Sequence, residues 1–153
     1  MFNEAHLYPQ HRAFINSLLK DLYGNGYRHL FMEALSAEYE EVAYPEREMG
    51  IYTNEPNMAN LVRNAVQTGF KLHAYDGYEY KNRDSVSAEN ILKVIQNNPQ
   101  DKFIIICGFA HNNEKLSRSL ASYLNQIAQI NPLTIDLTVY SEPESSSYYK
   151  ELL

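Results

Sequence analysis

Glutamates and histidines in this chain fall repeatedly at the ends of apolar segments. Glu4 and His6 follow the short start Met1–Asn3, with His11 a few residues on, and Glu33 closes the segment from Tyr27 to Met32. Asp76 follows Phe70 to Tyr75, and His111 follows the continuous apolar run from Phe103 to Cys107. Imidazole titrates near neutral pH, and carboxylates accept protons or hold cations. This set therefore suits proton transfer to and from water, or ligation of a metal ion through O and N donors. Other groups have plainer readings. His73 lies inside a strand and reads as a satisfied core histidine, His29 lies at the opposite end of the sheet, and Cys107 reads as an inert core thiol. No serine sits in a nucleophile-elbow setting, and the chain carries neither a Gly-rich phosphate loop nor zinc-finger spacing.

The segments that must position these groups alternate with helical periods, the pattern of an α/β fold. From His11 to Tyr23 the residues Phe14, Ile15, Leu18, Leu19 and Leu22 form one stripe, which Gly24 and Gly26 close. Pro56 opens a second helix with Met58, Leu61, Val62, Ala65 and Val66 on one face, and Gly69 ends it. Asp84 reads as the N-cap of a third, carrying Ala88, Ile91, Leu92 and Ile95. Leu116, Leu120, Tyr123, Leu124 and Ile127 mark a fourth, beginning near Asn112 or Asn113. Leu133 to Tyr140 reads as a final strand. The expectation is a mostly parallel sheet of about four or five strands with helices on both faces, so that strand ends converge on one crevice. Residues 34 to 55 have no period and are long for a plain loop, which makes them functional or mobile. Residues 1–140 read as a single domain, and the Ser-rich stretch 141–153 as a poorly ordered tail.

Composition narrows the function classes. A chain of 153 residues that is 44% hydrophobic can bury one substantial core. Its longest apolar run, residues 103–108, is far shorter than the ~20 residues of a membrane span. The start of the chain shows no basic region followed by an apolar one. A lone cysteine cannot pair internally, which points to a reducing, cytoplasmic setting. A net charge of −6 without a Lys/Arg cluster argues against nucleic acid as a partner. Six of the tyrosines, Tyr39, Tyr44, Tyr52, Tyr75, Tyr78 and Tyr80, fall in the two segments expected to cover the crevice. There they either bind an amphipathic ligand or simply pack the loops together.

Four motifs in order resemble a known superfamily, that of the haem-binding ChaN-like proteins, the TraB/PrgY and Tiki proteins and the erythromycin esterases. Asn3-Glu4-Ala5-His6 with His11-Arg12 is similar to its opening Gly-Glu-x-His…His motif. Tyr27 to Glu33 resembles its second strand, which ends in glutamate. Arg83-Asp84 with Asn90-Ile91 resembles its Arg-Asp/Glu…Met-Ala-x-Asn-Ile helix start, and Gly108-Phe109-Ala110-His111-Asn112 its late histidine motif. The chain departs from that pattern in having Asn3 for the usual glycine and Val86-Ser87 for Met-Ala. Its first motif also comes at residue 3, so Met1–Asn3 is either a stub of the delivering strand or part of a longer protein. The exposed sheet edge would then need cover from a loop or a second copy.

The resemblance implies roles for Glu4, His6, Glu33, Arg83 and His111, with His11 next. The expected site is of hydrolase type, esterase- or peptidase-like. Glu4 and His6 activate water, Glu33 and His111 orient it, or His6, Glu33 and His111 hold a divalent metal. Arg83 clamps an oxyanion or fixes Glu4 through a bidentate pair. His11, Arg83, Tyr52, Tyr75 and Tyr78 contact a small-molecule or peptide ligand. The alternatives are a non-catalytic protein binding haem or another small ligand, and a truncated, inactive relative.

Overall fold

A computed structural model describes residues 1–36, 44–77 and 81–139. Four strands, β1 (Phe2–Glu4), β2 (Tyr27–Met32), β3 (Lys71–Ala74) and β4 (Lys102–Gly108), form one all-parallel sheet in the order β1-β4-β2-β3. The helices are α1 (Pro9–Gly24), α2 (Pro56–Thr68), α3 (Arg83–Asn97) and α4 (Leu120–Ala128), with a 3-10 turn at Arg47–Met49. The two-residue period of a strand divides the central strands between two cores. Leu30, Met32, Ile104 and Ile106 face Ile15 and Leu19 of α1 and Leu61, Val62 and Ala65 of α2. Phe31, Ile105 and Cys107 face Ala88 and Ile91 of α3 and Leu120, Ala121 and Leu124 of α4. Helices thus cover both faces. Each fully buried Leu or Ile contributes about 1.5–3 kcal/mol relative to exposure, so both layers are strongly held.

Several boundaries differ from expectation for local reasons. Helix α1 starts at Pro9, whose fixed φ suits a first turn. Phe14 of its expected stripe is exposed, while Arg12 is fully buried. Asn82 takes the N-cap of α3 and Asp84 its first turn. Helix α4 begins only at Leu120, where the Ser119 hydroxyl accepts the Ser122 amide at 3.2 Å. Upstream, Asn113 turns its side chain onto the Lys115 amide and its carbonyl onto Ser119, drawing the backbone away from helix. Leu116 is consequently exposed, and His111 lies in a turn rather than at a helix start.

The edge beyond β1 is covered from within the chain. Asn3 N–H donates to Ile135, Ile135 N–H donates to Met1, and the Met1 ammonium reaches the Leu133 carbonyl at 2.7 Å. The expected last strand shrinks to this single parallel bridge, Phe2 to Ile135. Asp136 ends it, since its carboxylate accepts the Thr138 amide and the Asn3 side chain instead of extending the ladder. Among the described residues no helix is long and apolar enough to cross a membrane.

The aperiodic stretch after β2 is tied down by an antiparallel bridge between Leu35 and Gly50. Ser36 N–H donates to Met49 at 2.7 Å and Ile51 N–H to Ala34 at 2.8 Å. A Cβ on Gly50 would lie 1.9 Å from the Ala34 carbonyl oxygen, whereas Gly24 has nothing within 4 Å. Gly50→Ala is therefore expected to lose about 1–3 kcal/mol in a urea melt, while Gly24→Ala stays within ~0.5 kcal/mol of wild type.

Candidate functional site

At the carboxyl end of β1, Glu4 is buried and must find partners there. Arg12, one turn into α1, supplies a bidentate pair, Nε to Oε2 at 2.6 Å and Nη2 to Oε1 at 2.9 Å. The same guanidinium donates to Glu55 at 3.0 Å and to the His6 carbonyl at 3.1 Å. Glu55 in turn caps α2, accepting the amides of Asn57 and Met58. Of the two roles the sequence suggests for Arg83, the pairing with Glu4 is not the one found. Arg83 stands instead at the start of α3 beside the end of β3, and it pairs there with Asp76 through two bonds of 2.7 Å and with Glu33. The second Glu33 oxygen accepts the Gly108 amide.

His6 turns Nδ1 to Glu4 at 3.0 Å and its ring onto Tyr52, centroids 5.0 Å apart. Tyr52 has φ 63°, a left-handed conformation that tyrosine rarely adopts, and the Arg12 guanidinium lies 5.1 Å from its ring. His111 bonds Asp84 through Nδ1 at 2.8 Å and places Nε2 3.8 Å from Glu33. These groups meet above the backbone of Gly108. A Cβ there would lie 3.3 Å from Glu33 Oε2, 3.4 Å from His6 Nε2 and 3.4 Å from His111 Cδ2. Glycine keeps that space open.

Glu4, His6, Glu33, Asp76, Arg83 and Tyr52 line one pocket of about 170 Å³, closed by Met32, Met58 and Ile106. His111 stands behind Glu33, among Asp84, Ser87 and Leu120, and not in the pocket wall. Two expected ligand contacts lie elsewhere. His11 is buried and its Nδ1 accepts the Ala5 amide at 3.1 Å, which shapes the turn between β1 and α1. Tyr75 is packed in the α3/α4 core with its hydroxyl donating to the Ile106 carbonyl at 3.0 Å. Tyr44 is exposed, and Tyr39, Tyr78 and Tyr80 lie outside the described residues. Among the described residues no three His, Cys, Asp or Glu side chains are arranged to hold a metal ion. His6 Nδ1 and both oxygens of Glu33 are already engaged by protein groups.

The electrostatics follow from the pairing. Burial pushes the Glu4 carboxyl upward, but hydrogen bonds and charge from His6 and Arg12 outweigh it and leave the group below its ordinary value. The bond to Glu4 raises the His6 imidazole against the opposing pull of burial. Asp84 does the same for His111. Burial lowers His11 and raises the Cys107 thiol. On the α3/α4 side of the sheet His73 is half-buried and paired. Its Nε2 meets His29 Nδ1 at 2.9 Å, His29 Nε2 meets Asp101 at 2.9 Å, and burial beside His29 holds His73 down at about 4.

Arg12, Glu55 and Asp84 carry much of this geometry, yet from the sequence Arg12 and Glu55 have no role in the site and Asp84 only that of a helix cap. Arg12 left one sign. It occupies the same helical stripe as Ile15 and Leu19, three and seven residues on, where an apolar residue belongs. Comparison with known proteins returns no match: no family model, curated protein or solved structure matches this chain.

Arg12→Met should cost about 3–5 kcal/mol in a urea melt at pH 7, because Glu4 stays buried without its counter-charge. The folded-state pKa of Glu4 is depressed, so its pairing stabilises the fold above the ordinary value of 4.5 and the contribution is lost as pH falls through the depressed one. The gap between the variant and wild type should accordingly narrow in acid melts.

Proposed function

We propose that this protein is a hydrolase of esters or amides in which the Glu4–His6 pair activates water. The observation that carries this reading is the position of His6 between a buried carboxylate and the space over Gly108. With Nδ1–H donated to Glu4, the ring leaves Nε2 bare, 3.4 Å from the point where a Gly108 Cβ would stand. That is the carboxylate-oriented imidazole of hydrolytic sites, in which the acid fixes the tautomer and stabilises the imidazolium. In the proposed step Nε2 takes a proton from water while the water oxygen bonds to the acyl carbon. The bond from that carbon to the alcohol or amine then breaks, and the imidazolium returns its proton to the leaving group. Glu33, locked by Arg83 and the Gly108 amide, faces the same point at 3.3 Å and stabilises the charge that develops on His6. Arg83 lines the pocket and holds Glu33 in place there.

The motif resemblance supports the same assignment of Glu4, His6, Glu33 and Arg83, and it adds His111 as the group that backs Glu33. The metal-holding variant has less support, because both Glu33 oxygens are spent on protein partners and, among the described residues, no three His, Cys, Asp or Glu side chains are arranged to hold an ion. The haem-binding alternative is not favoured by a pocket of about 170 Å³, since sites for drug-sized ligands occupy ~300–1,000 Å³.

The test is a screen of small esters and amides with wild type, His6→Gln and Gly108→Ala. His6→Gln should lower kcat/KM by ~10²–10⁴-fold with a melt close to wild type. Gly108→Ala fills the reacting space and should abolish turnover at a cost of about 1–3 kcal/mol in stability. A Soret band on haem addition, with no probe hydrolysed, would favour the non-catalytic reading instead.

The pH profile is a separate check. His6 must be unprotonated to act as a base, and its pKa in the fold is raised above 6.5. Wild-type kcat/KM should therefore rise with pH through a limb centred above 6.5, and a limb at or below that value would count against His6 as the base.

A further inference from the structure

We infer that this pocket takes an acyl group of about six non-hydrogen atoms, its carbonyl included, with an uncharged apolar end on the floor, so that the substrate is an ester or amide of a short aliphatic acid. The inference rests on the hydrolase reading and adds which acyl group that site accepts. Met32 from β2, Met58 from α2 and Ile106 from β4 converge beneath the pocket from three separate elements, each almost wholly buried. Their side chains offer no strong hydrogen-bonding group, so a polar acyl chain would lose its water without replacement. An apolar cavity of ~150 Å³ holds benzene, and this pocket measures about 170 Å³. An acyl group of six or so non-hydrogen atoms, its carbonyl included, therefore fills the whole pocket, and a longer chain must leave over Ile51 and Tyr52, which are exposed at the rim.

Charge sharpens the choice. The carboxylates of Glu4, Glu33 and Asp76 line the wall, and the guanidiniums beside them, Arg12 and Arg83, are already bound to Glu4, Glu55, Asp76 and Glu33. An acyl group bearing its own carboxylate would meet acceptors and be repelled. Two methionines in the floor can repack around straight, branched or ring-shaped groups, which suits a class of substrates defined by size. Ala34 lines the same wall, and its small side chain keeps the width.

The experiment measures kcat/KM for methyl acetate, butyrate, benzoate and octanoate by proton release, with wild type, Ala34→Val and Ala34→Leu, each checked for a cooperative melt. Wild type should prefer butyrate, with benzoate lower and octanoate lower by about tenfold, since single methylenes in such pockets are worth ~10-fold or more. Ala34→Leu should lower butyrate and benzoate by about tenfold and acetate much less, with Ala34→Val intermediate. A rate that climbs to octanoate, or a loss equal for all four esters in either variant, overturns the subsite while leaving hydrolysis standing. If no ester is turned over, the hydrolase reading fails and binding of benzyl alcohol by ligand-observed NMR decides the subsite. Saturable binding to wild type that weakens in Ala34→Val upholds it, and absent or unchanged binding overturns it.

Discussion

The guanidinium of Arg12 reaches Glu4 on β1 and Glu55 at the start of α2 at once, and the carboxyl end of the sheet is arranged around that contact. A buried carboxylate and a buried guanidinium are each costly to take out of water, and they persist only where every bond is made. Here the demand is met by fixing three elements to one another. The arginine sets where α1 crosses the sheet, its second carboxylate caps α2, and its first holds His6 in one tautomer. A second such knot, Arg83 with Asp76 and Glu33, joins the start of α3 to the ends of β3 and β2. The pocket is the space between the two knots.

This arrangement explains why polar groups at the site are rigid while its floor is soft. Each carboxylate facing the pocket is held by an arginine, a backbone amide or both. The apolar floor comes from the same strands one or two residues earlier, at Met32 and Ile106, so that the polar wall and the apolar floor are separated along the strand direction. Tyr52 sits in a left-handed conformation between them, and the Leu35–Gly50 bridge holds the segment that carries it.

Much of the fold was legible because its signals are periodic. The apolar runs of β2 and β4, the α2 stripe and the glycine after it all lie where the pattern places them. What escaped was set by side-chain competition at ends. Asn113, Ser119 and Asp136 bond to nearby backbone and so delay α4 and cut short the last strand. In the site, Glu4, His6, Glu33 and Arg83 come together at strand ends, as their order along the chain suggested. The choice of arginine for each glutamate could not be read, since it depends on which helix lies over which strand. His11 and Tyr75 fit the pattern of ligand contacts but satisfy backbone groups instead, a distinction that only three-dimensional accounting makes.

The place of β1 in the sheet has a further consequence, for assembly. The strand that carries Glu4 hydrogen-bonds with β4, about a hundred residues later, and its outer edge waits for Ile135. Helix α1 and β2 are complete long before either partner exists on a growing chain. Loop closure over such separations is slow, and an unpaired short strand contributes nothing until it docks. Glu4 therefore has its place in the sheet only once β4 and the residues around Ile135 are made. A partly made chain thus holds Arg12 without β4, the strand that positions Glu4.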